Sequence, residues 1–195
     1  MNLPNKITLV RIFLVPVIMI FLLIKFDFGE IIIAGEVVTY SEIIATVIFI
    51  IAAVTDGLDG YIARKWKLIT NLGKLLDPLA DKLLITASLI SLVEMQRLPA
   101  WIAIVIISRE FAITGLRQIA AAEGKVIAAS KLGKLKTITQ IIAVVLLMLN
   151  NFPFTFLHIP VDQWMIWIAV IITVVSGVDY FIKNLHVIKK TKDKK

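Results

Sequence analysis

Four aspartates in the first half of the chain have a spacing that could hold metal ions. Asp56 and Asp59 lie three residues apart, and Asp77 and Asp81 lie four apart. Residues at these spacings share one face of a helix, so the carboxylates of each pair would project in one direction. Facing carboxylates repel, and although protonation could relieve the repulsion, an all-oxygen set suits hard divalent cations. The sequence therefore predicts a site for two Mg²⁺ or Mn²⁺ ions with these aspartates as ligands.

Such a pair of ions is suited to phosphoryl transfer, because it can hold the phosphate that changes hands. The chain has no cysteine and only two histidines, so thiol nucleophiles, disulfides and polyhistidine metal sites are excluded. Gly60 and Ala63 fall on the same helical face as Asp56 and Asp59. Their small side chains would leave room for a nucleotide or diphosphate, or they would let two helices pack closely.

The elements that would position these aspartates are membrane helices. Of the 195 residues, 59% are hydrophobic, and the mean hydropathy is +0.92. Soluble domains are closer to half apolar, so lipid is expected to cover much of the surface. Six apolar segments approach the length of a membrane span and cover residues 7–24, 41–63, 75–95, 99–121, 137–152 and 160–182. The predicted fold is all-α, with six transmembrane helices in one domain over residues 1–195 and a basic tail over 185–195.

Lysine and arginine fall mainly on one side of the predicted bundle. The connections after the first, third and fifth segments contain only two cations, Lys25 and Arg97, whereas the connections after the second and fourth segments are rich in cations. Because cations are retained on the cytoplasmic side, both termini and the aspartate recess of this multi-pass cell-membrane protein are expected to face the cytoplasm. The net charge of +7 then indicates anionic membrane lipids as partners, and no nucleic-acid partner is expected.

The aspartates belong to a longer pattern. The pattern begins with the run Asp56-Gly-Leu-Asp59-Gly60-Tyr-Ile-Ala63-Arg64. Eight residues separate this run from Gly73, three separate Gly73 from Asp77, and three separate Asp77 from Asp81. This stretch resembles the signature of the CDP-alcohol phosphatidyltransferase family at every fixed position. The first residues, 3–11, are similar to the amino-terminal start common in that family. Segments 108–117 and 133–137 are similar to the branch that makes phosphatidylglycerophosphate.

The resemblance implies a reaction and a role for each matching residue. CDP-diacylglycerol would donate a phosphatidyl group to sn-glycerol 3-phosphate, giving phosphatidylglycerophosphate and CMP. Asp56, Asp59 and Asp77 would be the main metal ligands, and Asp81 would be the general base and a further ligand. The residues expected to bind CDP are Gly57, Gly60, Ala63, Arg64 and Gly73. The cations expected to bind the acceptor phosphate are Arg109, Arg117, Lys134 and Lys136.

Several alternatives stay open from the sequence alone. Arg109 could instead form a structural pair with Glu110, because a buried arginine needs a partner. The signature handles the CDP end that the whole family shares, so phosphatidylglycerol, inositol phosphate or serine could be the acceptor. Intramembrane acids also mark cation transporters, although transporters distribute them through the bilayer and often contain repeats. A homodimer is compatible with the resemblance but has no visible determinant in the sequence.

Overall fold

The computed structural model describes residues 3–24, 26–33, 35–65, 71–122, 124, 127 and 130–190, and it describes their side chains except at 3–5, 33, 56–78, 81 and 185–190. Six long helices confirm the predicted helical fold. They are α1 (Leu3–Leu23), α2 (Tyr40–Lys65), α3 (Asn71–Glu94), α4 (Ala100–Ala122), α5 (Lys131–Met148) and α6 (Val161–Lys190). A short 3₁₀ turn, Phe154–Leu157, precedes α6.

A β-hairpin between α1 and α2 corrects the prediction of an all-α chain. Strands β1 (Glu30–Ile33) and β2 (Glu36–Thr39) pair antiparallel. Both strands are rich in β-branched residues, which favour extended backbone. Gly35 in the connecting turn has a φ of +87°, a conformation that glycine adopts without steric cost. This segment was predicted to be a simple connection because the strands are too short to stand out beside the long apolar helices.

The helix α2 begins with a capping box that also ends the hairpin. The Glu42 backbone N–H donates to Thr39 Oγ1 at 3.2 Å, and the Thr39 backbone N–H donates to Glu42 Oε2 at 3.0 Å. These reciprocal bonds satisfy two backbone donors that would otherwise lack partners at a helix start. The hairpin is therefore joined rigidly to the first turn of α2.

The predicted bounds of the fifth span were wrong at both ends. Helix α5 begins at Lys131 rather than 137, because Ser130 Oγ accepts a hydrogen bond from the Gly133 backbone N–H and caps the helix. It ends at Met148 rather than 152, because Asn150 and Asn151 adopt positive φ values of 50° and 65°. Asparagine tolerates this left-handed conformation, which stops a helix. Lys134 and Lys136 consequently lie on a helix, where the sequence predicted a loop.

The helices bury one apolar interior and expose a second apolar surface. Phe49, Leu92, Ile106, Leu147 and Ile166 are almost completely buried. On the outside, large apolar side chains stay exposed, among them Phe13, Ile104, Phe111, Ile171 and Ile182. Within the described residues, two helices are long and apolar enough to cross a membrane, Lys6–Leu23 and Val161–Asn184. This exposed apolar surface is typical of a protein that associates with a membrane.

One end of the bundle is held together by a partly buried ion pair. We call it the hairpin end, and it contains the β-hairpin, residues 95–99 and residues 149–160. Arg97 Nη2 donates to Glu42 Oε1 at 2.7 Å, and Arg97 Nη1 donates to the carbonyls of Leu147 and Met148 at 3.3 and 2.9 Å. One guanidinium thus links the start of α2 to the last turn of α5. The opposite end, where α2 ends and α3 begins, is the signature end.

Candidate active site at the signature end

The signature aspartates lie on two consecutive helices that are in contact. Asp56 and Asp59 fall in the last three turns of α2, while Asp77 and Asp81 fall in the first three turns of α3. The helical positions agree with the predicted sharing of a face within each pair. Their side chains lie outside the described part of the structure, as do those of Gly57, Gly60, Ala63, Arg64 and Gly73. Convergence on metal ions and contact with CDP therefore stay predictions.

The donor chemistry nevertheless fits a hard divalent cation. The four signature residues offer carboxylate oxygen only, which suits Mg²⁺ or Mn²⁺ better than softer metals. Among the side chains that the structure describes, no group of three histidines, aspartates or glutamates could hold a metal.

Two of the predicted phosphate ligands come together at a single carboxylate. Arg109 Nη1 donates to Glu110 Oε1 at 3.0 Å, and Lys136 Nζ donates to the same oxygen at 2.5 Å. Arg109 and Glu110 lie on α4, and Lys136 lies on α5 with only 5% of its surface exposed. The pairing of Arg109 with Glu110 that was considered from the sequence is present. Since Lys136 joins it, the described cluster holds two cations for one acid.

Helix α6 provides the rest of the Arg109 environment. Arg109 Nη2 donates to Ser176 Oγ at 3.0 Å. A Cβ added to Gly177 would come within 3.1 Å of Arg109 Cγ, so glycine at this position leaves room for the arginine chain. Arg109 Nε is buried and has no hydrogen-bond partner among the described residues. A buried donor without a partner is rare and marks a position where an acceptor could bind.

Arg117 lies two turns further along α4 and does not join the cluster. Its Nε donates to the hydroxyl of Tyr180 at 2.8 Å, and its guanidinium carbon lies 5.4 Å from the centre of that ring. Tyr180 is buried, whereas Arg117 itself is exposed. The ring therefore holds an exposed cation in one orientation without neutralising it. Lys134, the fourth predicted ligand, is exposed near the start of α5.

A small cavity lies between the cationic cluster and α3, the helix that carries Asp77 and Asp81. Its volume is about 20 Å³, enough for one water molecule, and it lies between α3, α4 and α5. Glu110 and Lys136 line it together with Lys82 and Thr86 of α3. Lys82 directly follows Asp81 in the sequence. The cluster thus packs against the helix that carries Asp77 and Asp81, within one residue of the expected general base.

Comparison with known proteins identifies the family. Residues 1–175 match the family described as CDP-alcohol phosphatidyltransferase. The chain belongs to the CDP-alcohol phosphatidyltransferase family. It is 53% identical over 188 residues to the CDP-diacylglycerol--glycerol-3-phosphate 3-phosphatidyltransferase of Bacillus subtilis. The matched region covers 96% of this chain and 97% of the relative.

Other CDP-alcohol phosphatidyltransferases with that same name are more distant. The Haemophilus influenzae protein is 39% identical over 186 residues, covering 92% of this chain and 91% of the relative. The Rickettsia typhi protein is 34% identical over 181 residues, covering 92% of this chain and 95% of the relative. The resemblance inferred from the signature is thereby confirmed, and the chain is a phosphatidyltransferase.

Sequence reasoning missed the residues that position the cations. Ser176, Gly177 and Tyr180 lie on α6, more than sixty residues from the arginines that they contact (67 for Arg109–Ser176 and 63 for Arg117–Tyr180). Lys82 was also passed over, although it adjoins Asp81. The one available signal was the four-residue spacing of Ser176 and Tyr180, which places two polar groups on one face of an apolar helix.

Proposed function

We propose that this chain transfers the phosphatidyl group of CDP-diacylglycerol to sn-glycerol 3-phosphate, giving phosphatidylglycerophosphate and CMP in phospholipid biosynthesis. One structural observation supports the proposal beyond family membership. Arg109 and Lys136 meet at Glu110, in a cluster that packs against α3 at Lys82, the residue after Asp81. Cations that pack against the helix of the predicted general base suit an acceptor that carries both a phosphate dianion and a reacting hydroxyl.

In the proposed reaction, the acceptor hydroxyl oxygen attacks the phosphorus that bears diacylglycerol. The bond from that phosphorus to the bridging oxygen of the diphosphate breaks, and CMP leaves. Asp81 accepts the hydroxyl proton, which requires it to lie within hydrogen-bond reach of the acceptor. Asp56, Asp59, Asp77 and Asp81 would hold Mg²⁺ or Mn²⁺, most simply as two ions, which would supply electrostatic stabilisation of the diphosphate and the leaving group.

The remaining signature residues serve the donor in this proposal. The guanidinium of Arg64 would pair with the diphosphate, since arginine matches phosphate geometry with two parallel donors. Gly57, Gly60, Ala63 and Gly73 would leave clearance for the nucleotide, because none has a side chain larger than methyl.

On the acceptor side, Arg109 and Lys136 would bind the phosphate directly. Arg117 carries a fixed charge on the Tyr180 ring, and Lys134 would add attraction from the exposed start of α5. The start of a helix also favours anions through its free backbone N–H groups. These groups together favour glycerol 3-phosphate over serine, which carries no phosphate.

The proposed setting is a cell membrane crossed six times, with both termini and the signature end in the cytoplasm. Three features support it. The six helices are joined at alternating ends, the exposed side chains are widely apolar, and Arg97 at the hairpin end has its charge paired with Glu42. Trp101 and Trp167 lie in contact near the hairpin end, with ring centres 5.5 Å apart and ring planes tilted by 50°, and tryptophans are common at membrane interfaces.

The test is CMP release by the purified protein from CDP-diacylglycerol with Mg²⁺ or Mn²⁺ and each alcohol in turn. We expect turnover with sn-glycerol 3-phosphate and none with serine, inositol phosphate or phosphatidylglycerol. Turnover with serine but not with glycerol 3-phosphate would refute the assigned acceptor. Uptake of the divalent ion into sealed vesicles without CMP formation would replace the enzyme assignment with transport.

A further inference from the structure

A buried hydrogen bond joins α5 to α6 one helical turn from the cationic cluster. Gln140 Nε2 donates to Thr173 Oγ1 at 2.9 Å, and the two residues are 2% and 0% exposed. Gln140 lies four residues after Lys136 on α5, and Thr173 lies three residues before Ser176 on α6. Residues at these spacings share one face of a helix. The bond therefore connects the face of α5 that carries a cluster lysine to the face of α6 that contacts the cluster arginine.

The hydroxyl of Ser176 continues this connection to Arg109. Ser176 Oγ donates to the backbone carbonyl of Thr173 at 3.0 Å and accepts from Arg109 Nη2 at 3.0 Å. A hydroxyl has one proton to donate, so the bond to the carbonyl leaves its lone pairs for the arginine. Arg109 shares the carboxylate of Glu110 with Lys136, which returns the path to α5. We call this closed path the polar network, and its members are Arg109, Glu110, Lys136, Gln140, Thr173 and Ser176.

The α5–α6 bond of the polar network lies in an otherwise apolar interior. Ile106, Leu147 and Ile166 hold the same three helices together with buried side chains that have no polar atom. A buried amide or hydroxyl costs free energy unless it is hydrogen bonded, and a matched apolar pair would stabilise the helices about as well. A hydrogen bond differs from an apolar contact because it has a preferred direction. The polar network therefore fixes how α5 and α6 are rotated against each other.

We propose that Gln140 and Thr173 are positioning residues for the acceptor. They fix the rotation of α6 against α5, and Ser176 then holds Arg109 at a set separation from Lys136. This inference rests on the proposed function, in which those two cations bind the acceptor phosphate. Cations that are already in place lose little conformational entropy when the phosphate arrives, so the affinity for the acceptor is higher. Loss of the α5–α6 bond weakens acceptor binding although no charge leaves the site.

One variant, which we call the apolar pair, combines Gln140→Met with Thr173→Val. Both replacements are close in shape to the native side chains, and together they remove donor and acceptor, so neither is left buried without a partner. The melting temperature in detergent should equal or exceed the wild-type value. We expect the KM for glycerol 3-phosphate to rise about fivefold, the effect of one neutral hydrogen bond. The KM for CDP-diacylglycerol and kcat should stay within about twofold.

The matched control is Thr46→Val on α2. Thr46 is 2% exposed and its hydroxyl donates to the Glu42 carbonyl at 2.7 Å, just as Thr173 donates to the Ala169 carbonyl at 2.6 Å. Thr46 is not a member of the polar network. Its replacement should leave the KM for glycerol 3-phosphate at the wild-type value. A fivefold rise in this control as well would overturn the proposal, because loss of any buried threonine hydroxyl would then have the same effect.

A second comparison tests whether the polar network acts through Arg109. Ser176→Ala removes the acceptor of the arginine and should raise the KM for glycerol 3-phosphate about tenfold, as expected for a hydrogen bond to a charged group. Addition of the apolar pair to Ser176→Ala should then raise this KM by less than about twofold more. If the two effects multiply in full, Gln140 and Thr173 act independently of Arg109, and the proposal is wrong.

These measurements also separate the inference from the proposed function. Equal KM values for glycerol 3-phosphate in the apolar pair, Thr46→Val and the wild-type protein would overturn the positioning role alone, because the reaction itself would still proceed. If the wild-type protein releases no CMP with glycerol 3-phosphate, the proposed function is refuted and this inference falls with it.

Discussion

Two part-buried arginine–glutamate pairs lie at different depths of the bundle, one at the hairpin end and one midway along α4, and their partners differ. At the hairpin end, Arg97 has one carboxylate partner, Glu42, and two backbone carbonyls of α5. Midway along α4, Arg109 shares the carboxylate of Glu110 with Lys136, and its Nε has no partner among the described residues. The first arginine has its own carboxylate and several acceptors, whereas the second shares its described carboxylate with another cation.

This difference separates an arginine that stabilises the fold from one that is suited to bind a ligand. A buried pair with satisfied donors holds helices together, and removal of one member leaves the other charge without compensation. A buried arginine N–H without a described partner, next to a second cation, is suited to an incoming phosphate, whose oxygen would accept its hydrogen bond. Substitutions at the hairpin end should therefore change stability, and those at the signature end should change kinetics.

The largest effect is expected from Asp77→Asn. The amide removes one negative ligand of the predicted metal site, so kcat should fall at least about a thousandfold, as expected when metal and acid–base chemistry are lost together. The melting temperature in detergent should change little. The matched control is Asp179→Asn on α6, which breaks an exposed pair with Lys183 and should retain activity. Full activity of Asp77→Asn would remove Asp77 from the ligand set.

At the hairpin end, Arg97→Met should mainly reduce stability. Breaking the partly buried pair leaves the Glu42 carboxylate uncompensated, at a cost of about 2–3 kcal/mol. For a chain of this size the melting temperature should fall by roughly 5–10 °C, while both KM values stay unchanged. The double variant Glu42→Gln with Arg97→Met should lose less stability than the two single variants lose in sum. A raised KM for glycerol 3-phosphate would contradict the contrast between the two ends.

Lys136→Met should act on the acceptor. Glu110 then keeps Arg109 as its partner, and the cluster loses its second cation. We expect the KM for glycerol 3-phosphate to rise about thirtyfold, which corresponds to about 2 kcal/mol for a charge-assisted hydrogen bond. The KM for CDP-diacylglycerol should not change. Lys134→Met, two residues away and exposed, should raise the acceptor KM less than threefold, or about 0.6 kcal/mol. A larger effect at Lys134 would reverse their assigned importance.

A smaller effect than at Lys136 is expected at Arg117. Arg117→Ala should raise the KM for glycerol 3-phosphate about tenfold, because an exposed cation contributes less than a buried one. Tyr180→Phe removes the 2.8 Å hydrogen bond but keeps the ring, so it should raise the same KM only about twofold. If both variants have the wild-type acceptor KM, Arg117 takes no part in acceptor binding.

Long elements of this fold could be predicted from the sequence, whereas short ones could not. Local patterns predicted six helices, because long apolar stretches and cations at alternate connections are visible along the chain. They missed the hairpin, whose four-residue strands and Gly35 turn leave only a weak signal. They also placed Lys134 and Lys136 in a loop, because the lysine-rich start of this helix has no clear apolar face.

The sequence by itself determined the family, the aspartate pattern and the charged positions, since residue types at fixed spacing need only the order of the chain. Only the tertiary structure decided which cations share a carboxylate and which side chains of α6 contact them. Glu110 meets Lys136 across 26 residues, and Arg109 meets Ser176 across 67. Such contacts depend on how each helix is rotated and packed against its neighbours, and this is set by the whole interior and not by any local pattern.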